Sequence, residues 1–130
     1  MTWKAYKVEL DGHEAYVGTA ASRAKMRVNA FHSYREMYQC EKFGSFMRRI
    51  RITVCETPAN DGYGYVRRNY GVDPKVGQRV TLINEGSSSG QGGFVIYPGR
   101  STASVHVVID GRDFAVRVHP TNVDLGVAEP

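Results

Sequence analysis

Arginine and lysine side chains at three places are the groups in this chain whose types and spacing could do chemistry. They lie within residues 23–27, 48–51 and 67–68, and tyrosines interleave with the last group. Cationic side chains contact phosphates, and tyrosine rings stack on bases. The alternative is a solvated face whose long side chains cover apolar surface. The pattern predicts a nucleic-acid-binding face made by Arg23, Lys25, Arg27, Arg48, Arg49, Arg51, Arg67 and Arg68.

The overall charge favours the same class of partner. The 130 residues carry 17 Lys and Arg against 13 Asp and Glu, which gives a net charge of +4. Arg23, Lys25 and Arg27 also lie at the start of a predicted helix, where the backbone already carries partial positive charge. An acidic partner would relieve this repulsion. We expect the partner to be nucleic acid or an acidic protein.

The residues that usually hold metals or act in catalysis are scattered. Neither Cys40 nor Cys55 belongs to a Cys-x-x-Cys pair. The four histidines lack the spacing of metal ligands, and they are His13, His32, His106 and His119. We therefore expect no metal, no cofactor and no catalytic residue, and hence no enzyme. A pocket with His32 or His119 beside a carboxylate would instead indicate an enzyme.

A Gly- and Ser-rich loop at residues 86–93 invites a phosphate-binding interpretation. A phosphate-binding loop of the Walker type needs a lysine and a following helix. This loop has no lysine, and an apolar run typical of a strand follows it. Its composition predicts a flexible hairpin loop.

The first half of the chain begins with a predicted hairpin. An extended run reaches Leu10 and ends at Asp11-Gly12, which is a two-residue turn signal. The returning strand at 14–18 would place Ala15 and Val17 on one face.

A helix and a third strand are predicted next. Ser22 is the expected N-cap of a helix that runs to Tyr38. Apolar residues recur along it at helical spacing, and they are Ala24, Val28, Phe31, Tyr34 and Tyr38. Alternation over residues 49–55 predicts a strand with an inward face of Ile50, Ile52 and Val54. If the helix covers this face, Val28→Asp or Ile52→Asp will unfold the first half.

The second half contains five short apolar runs, at 79–83, 93–97, 104–109, 114–118 and 122–125. Runs of this kind between turn residues are typical of a small antiparallel barrel. Turn-forming residues at 57–62 mark a boundary. The predicted organisation is a ββαβ unit at 1–57, a connecting segment at 58–75 with a helical turn or two, a barrel at 76–126 and a tail at 127–130.

The second half resembles SH3-like barrels of the type that includes KOW modules. The resemblance covers residues 76–125 and rests on four segments. These are Val76-Gly77-Gln78-Arg79-Val80, Gly92-Gly93-Phe94-Val95-Ile96, the hairpin over 107–116, and His119-Pro120-Thr121-Asn122-Val123. It implies a binding module.

The first half is similar to the start of small uncharacterised phage and prophage proteins. In those proteins a hairpin leads into a helix start like Ala21-Ser22-Arg23-Ala24-Lys25. This resemblance implies a bacterial cytoplasmic setting and an accessory role.

The predicted fold is α+β, with a small ββαβ unit packed with a five-stranded SH3-like antiparallel barrel. The predicted function is a non-catalytic binding protein that engages nucleic acid or a nucleic-acid-handling complex. The alternative is a phage-type module that binds or inhibits a host protein, through Tyr63, Tyr65, Tyr97, Ser88, Ser89 and Gln91. We expect a cytoplasmic protein without membrane contact, since no apolar run reaches the roughly 18–20 residues that a bilayer requires. An exposed edge strand could pair in a homodimer.

Overall fold

The structure is a computed structural model that describes residues 3–34, 42–55, 58, 60–100 and 102–125. The chain divides into two compact units, residues 1–59 (unit 1) and residues 60–130 (unit 2). Tyr38, Cys40 and the predicted tail at 127–130 lie outside the described residues.

Unit 1 is a three-stranded antiparallel sheet with two helices packed against one face. Its elements are β1 (Lys4–Leu10), β2 (Tyr16–Ala20), α1 (Arg23–Tyr34), α2 (Phe43–Met47) and β3 (Ile50–Val54). The strand order is β2-β1-β3. Successive side chains of a strand point to opposite faces of the sheet, so Tyr6, Val8 and Leu10 all point to the same face. This face is covered by α1 and α2, and the three side chains are buried among the apolar residues of these helices.

The first hairpin pairs one residue out of the predicted register. A two-residue loop would pair Val8 with Ala15, whereas Val8 pairs with Tyr16. Because successive side chains point to opposite faces, this shift turns every side chain of β2 over. Ala15 is exposed, Val17 is half-buried, and Gly18 takes the inward position. The two-residue turn expected at Asp11-Gly12 is therefore wrong by one residue, and the returning strand spans Tyr16–Ala20 and not 14–18.

The buried stripe of α1 differs from the predicted one for a related reason. Its buried side chains, each four residues from the next, are Met26, Ala30 and Tyr34. Ala24 is exposed and Val28 is 42% exposed, although both were predicted inward. Gly18 faces the helix and leaves room for Met26, since a Cβ on Gly18 would lie 3.2 Å from Met26 Cε. The helix therefore turns Met26 and Ala30 toward the sheet, and of the predicted face, as far as the described residues extend, Tyr34 alone is fully buried.

Other features of unit 1 agree more closely with prediction. Ser22 caps α1, because its Oγ accepts a hydrogen bond from the Lys25 amide at 3.1 Å. On β3, Ile52 is buried and Ile50 is half-buried. Val54 is 45% exposed, because it ends β3, which within the described residues has a strand neighbour on one side only.

Unit 2 is a short helix and a five-stranded antiparallel sheet. Its elements are α3 (Gly64–Tyr70), β4 (Arg79–Leu82), β5 (Gly92–Val95), β6 (Val105–Ile109), β7 (Ala115–Val118) and β8 (Val123–Asp124). The strand order is β7-β6-β5-β4-β8. The first four strands thus form a meander, and a 3₁₀ turn at Pro120–Asn122 leads into β8, which pairs with β4. Each predicted run overlaps one of these strands.

The inward side chains of the meander form the core of unit 2. They include Val80, Leu82, Val95, Val107, Ile109 and Val118. β5 and β6 approach closely at Gly93, where a Cβ would lie 2.5 Å from the Val108 carbonyl oxygen.

Helices and two antiparallel sheets confirm the α+β class. The five-stranded sheet is not closed into a barrel, and β7 and β8 are its edges within the described residues. β7 is the longer edge, through which the predicted homodimer would pair. None of the helices in the described residues has the length and apolar character that crossing a bilayer requires.

Candidate nucleic-acid interface

Unit 1 carries the whole net charge of the chain. Residues 1–59 hold ten Lys and Arg against six Asp and Glu, and residues 60–130 hold seven of each kind. Unit 1 is therefore the part of the chain whose net charge attracts an anionic partner.

Arg23 joins the start of α1 to β3 by a hydrogen bond. Its Nη1 donates to the Ile52 carbonyl oxygen at 2.7 Å. Because β3 is an edge strand, this hydrogen bond ties the first turn of α1 to the sheet edge and covers an edge carbonyl. The carbonyl dipole also offsets the repulsion between this guanidinium and the helix N-terminus. The sequence analysis expected an acidic partner to relieve this repulsion. For Arg23, the Ile52 carbonyl group of the same unit relieves it instead.

Arg27 lies on a stripe of α1 that faces α2. Residues four apart share a helix face, so Arg27 lies one turn from Phe31. The Phe31 ring meets the rings of Phe43 and Phe46 edge-on, with centroids 5.2 and 5.6 Å apart. Arg27 is exposed. No ion pair involves it within the described part of the chain.

Two more arginines follow α2. The Arg49 guanidinium lies over the Phe46 ring, 5.9 Å from its centroid, as in a cation–π contact. Arg48 is exposed, and so is Lys42, which directly precedes Phe43. Phe43 itself is 41% exposed. Cations thus surround a small aromatic cluster. We call this region the α1–α2 surface, and it comprises Arg27, Phe31, Lys42, Phe43, Arg48 and Arg49.

Arg51 and Lys25 lie away from the α1–α2 surface. Arg51 alternates with the buried Ile52, so it points to the sheet face opposite the helices, where Glu9 is its cross-strand neighbour. Lys25 is two residues from Arg27 and therefore lies on the opposite side of α1. The predicted basic residues of unit 1 thus do not form one face.

Arg67 is used within unit 2. Its guanidinium donates to both carboxylate oxygens of Asp61, at 3.0 and 2.6 Å, to Asp73 at 2.6 Å and to the Pro74 carbonyl oxygen at 2.7 Å. These bonds join the segments on either side of α3. The Arg67 guanidinium is also the main reason that the pKa of Asp61 lies below its ordinary value of 3.8. Arg67 is therefore a structural residue with little capacity left for a phosphate.

Replacing Asp61 with asparagine should lower the free energy of unfolding of unit 2 by about 1 kcal/mol at neutral pH. Because folding lowers the pKa of Asp61, its contribution is complete above the unfolded pKa of about 4 and is lost as the pH falls through the folded value. The difference between the two proteins should therefore shrink below about pH 4. Urea denaturation at a series of pH values measures it.

Asp73→Asn is the matched control, because Asp73 binds the same guanidinium but its side chain is 62% exposed. We expect its effect to stay within about 0.5 kcal/mol. A difference for Asp61→Asn that does not change with pH would show that the ion pair is not its source.

The remaining predicted residues of unit 2 have mixed surroundings. Tyr63 is completely buried, so it cannot take part in a protein contact as predicted, while Tyr65 is 43% exposed and Tyr97 is half-buried. Arg68 is exposed. Its Nη1 folds back along α3, 2.9 Å from where a Cβ on Gly64 would lie.

Exposed rings that the sequence analysis did not assign lie beside Tyr65. The Tyr70 ring meets Tyr65 and His119 edge-on, with centroids 6.4 and 5.1 Å apart. His119 Nδ1 accepts a hydrogen bond from the Thr121 amide at 3.2 Å and thereby caps the 3₁₀ turn. No carboxylate bonds to His119 or to His32 in the described residues.

The Gly- and Ser-rich loop contains local structure that its composition did not predict. A 3₁₀ turn spans Gly86–Ser88. Ser89 Oγ accepts from the Glu85 amide at 2.8 Å, and Gln91 Oε1 accepts from Arg112 Nη2 at 3.3 Å. Three loop residues were predicted to contact a protein partner, namely Ser88, Ser89 and Gln91. The side chains of Ser89 and Gln91 are thus already hydrogen-bonded within unit 2.

Residues 86–90, Gly-Ser-Ser-Ser-Gly, also match the spacing of a nucleophile elbow, Gly-x-Ser-x-Gly. That motif needs a sharp turn from a strand into a helix. Here the segment joins the antiparallel neighbours β4 and β5, so the elbow geometry is missing. The described residues contain no group of three or more His, Cys, Asp or Glu side chains that could hold a metal.

Comparisons of this chain with family models, with curated proteins and with solved structures find no match.

Proposed function

We propose that this protein is a non-catalytic nucleic-acid-binding protein and that the α1–α2 surface of unit 1 contacts the phosphates. The observation that carries the proposal is that unit 1 holds the whole net charge of +4, whereas acidic residues match the basic ones in unit 2. In unit 2, Arg67 and Arg79 bind aspartates. In unit 1, Arg27 and Arg48 are exposed without an ion pair among the described residues. Cations that are exposed and not neutralised are available to phosphates.

Fluorescence anisotropy with labelled DNA and RNA tests the proposal. Affinity should fall log-linearly as salt rises between about 50 and 200 mM, because phosphate contacts release counterions. The double variant Arg27→Gln/Arg48→Gln should bind more weakly. Each lost contact should reduce the slope by about 0.7 to 0.9.

Arg112→Gln/Arg117→Gln is the matched control. It removes the same charge from exposed arginines of unit 2, so it should keep the slope of the wild type. Equal losses in both double variants would show that net charge alone attracts the nucleic acid. Binding that does not depend on salt would overturn the proposal.

We also infer that unit 2 is a module of the SH3-like type. The support is its connectivity, a four-stranded meander followed by a 3₁₀ turn and a last strand that returns to the first. The resemblance to such barrels over residues 76–125 points the same way. A cytoplasmic setting is part of the proposal, as the similarity of the first half to phage and prophage proteins implies.

A second candidate function is a protein-interaction module built on unit 2. The observation in its favour is the exposed ring cluster of Tyr65, Tyr70 and His119 on a unit without net charge. Exposed tyrosines are frequent anchors of protein interfaces. Tyr65→Ala/Tyr70→Ala would then abolish partner binding, while the arginine variants of unit 1 would leave it unchanged.

A further inference from the structure

We infer that the ligand of the α1–α2 surface is single-stranded nucleic acid and that a base stacks on Phe43. This inference rests on the proposed function, and it adds the class of nucleic acid and the group that selects it.

The position of Phe43 carries the inference. Phe43 is a large apolar side chain that is 41% exposed, although its neighbours Phe31 and Phe46 are half-buried and buried. Its centroid lies 5.2 Å from that of Phe31 at an interplanar angle of 79°. Phe31 therefore meets Phe43 edge to face and supports it, while a large part of Phe43 remains open to solvent.

The cations around Phe43 are placed for phosphates on either side of a stacked base. Lys42 is its neighbour in sequence, and Arg27 lies one helical turn from the supporting Phe31. Arg49 lies over Phe46, which is one turn of α2 beyond Phe43. An exposed aromatic ring between cations is the arrangement with which proteins hold single strands, where bases stack and the backbone follows the charge.

A duplex would not use this arrangement. Its base faces are stacked on one another, so they reach an aromatic side chain only after base steps are unstacked or base pairs are broken, which costs a few kcal/mol. The carboxylates of an acidic peptide would use the cations but not the ring. The single strand is the ligand that uses both parts of the surface.

The experiment compares three labelled probes of about 15 nucleotides, a length that covers one site of this kind. The probes are single-stranded DNA, single-stranded RNA and the DNA duplex of the same sequence. Anisotropy at low salt should show tighter binding of one or both single strands than of the duplex. Phe43→Ala should weaken binding of the single strands about tenfold and leave binding of the duplex unchanged.

Phe114→Ala is the matched control, because Phe114 is 52% exposed and an arginine, Arg112, lies over its ring at 5.7 Å. It is the same substitution in the unit without net charge, so binding should not change. The melting temperature of Phe43→Ala is measured alongside, since its ring also touches Phe31.

A single strand with abasic sites provides a measurement on the wild-type protein that does not depend on how any variant folds. It keeps the phosphates and lacks the bases, so it should bind about as weakly as Phe43→Ala binds the intact strand. Equal binding of intact and abasic strands, or of single strand and duplex, would overturn the stacking inference while the proposed function stood. No binding to any of these nucleic-acid probes even at low salt would overturn both.

Discussion

Replacing Tyr63 with phenylalanine will lower the free energy of unfolding of unit 2 by about 3 kcal/mol. Tyr63 is completely buried. Its hydroxyl donates to the Ile96 carbonyl oxygen at 2.6 Å and accepts from the His106 amide at 3.1 Å. The Ile96 amide also donates to the His106 carbonyl at 3.0 Å. In an antiparallel sheet such a pair of residues normally exchanges two hydrogen bonds. The Tyr63 hydroxyl replaces the second one, from the His106 amide to the Ile96 carbonyl oxygen, just beyond the end of β5.

The size of the effect follows from what phenylalanine leaves behind. The aromatic ring still fills its place in the core, so the lost energy comes from two buried backbone groups without partners. Each such group costs about 1–3 kcal/mol. Burial also raises the pKa of the Tyr63 phenol above its ordinary value of 10.0, so the hydroxyl remains protonated and able to donate over the working pH range.

Tyr65→Phe is the control for this prediction. It removes the same hydroxyl from a ring of α3 that is 43% exposed, so the change should stay within about 0.5 kcal/mol. Amide exchange of the β6 residues measures both variants, because protection there reports opening of the strand. Similar exchange rates in Tyr63→Phe and Tyr65→Phe would show that the hydroxyl does not join the two strands.

Tyr63 also shows why the sequence could not tell which predicted site residues of unit 2 are buried and which are exposed. Tyr63 and Tyr65 differ by two positions in a segment rich in Tyr and Arg, and composition treats them alike. One side chain enters the core and the other faces solvent, because Tyr63 is the N-cap residue of α3 and Tyr65 lies on the exposed side of its first turn. Arg67 and Arg68 differ in the same way, since Asp61 and Asp73 come within reach of only one of them.

The strands of unit 2 could be predicted because their pattern is local. Alternating apolar residues between glycine- and proline-containing turns predict a half-buried strand wherever they occur. All five predicted runs overlap strands of one sheet. The pairing of β8 with β4 joins residues far apart in sequence, and no local pattern encodes that connection.

Unit 1 was harder because its pattern depends on a pairing register. The extra residue after the first turn decides whether Ala15 or Gly18 faces α1, and no local pattern encodes that shift. The buried face of α1 then follows Gly18 through its contact with Met26. The α1–α2 surface was missed because the sequence analysis predicted no helix between Tyr38 and the strand at 49–55, whereas α2 lies there and brings Phe43 to Phe31.

The corrected helix face leads to the largest effect that we expect from a single substitution. Ala30→Asp should unfold unit 1, with a loss of more than about 4 kcal/mol, because it places a carboxylate without a partner in the core. Ala30 is completely buried among residues that include Val8 and Ile52. Val28→Asp, which the sequence pattern predicted to be disruptive, should change stability by less than about 1 kcal/mol, since Val28 is 42% exposed.

Ala24→Asp makes the comparison strict, because it is the same substitution at an exposed position of the same helix. An acidic side chain in the first turn also interacts favourably with the helix N-terminus, so this variant should be at least as stable as the wild type. Amide exchange of β1 and β3 follows all three proteins, and loss of protection in Ala30→Asp alone confirms the assigned face. Unfolding by Val28→Asp with a folded Ala30→Asp would mean that α1 packs on the sheet through the face of Ala24 and Val28.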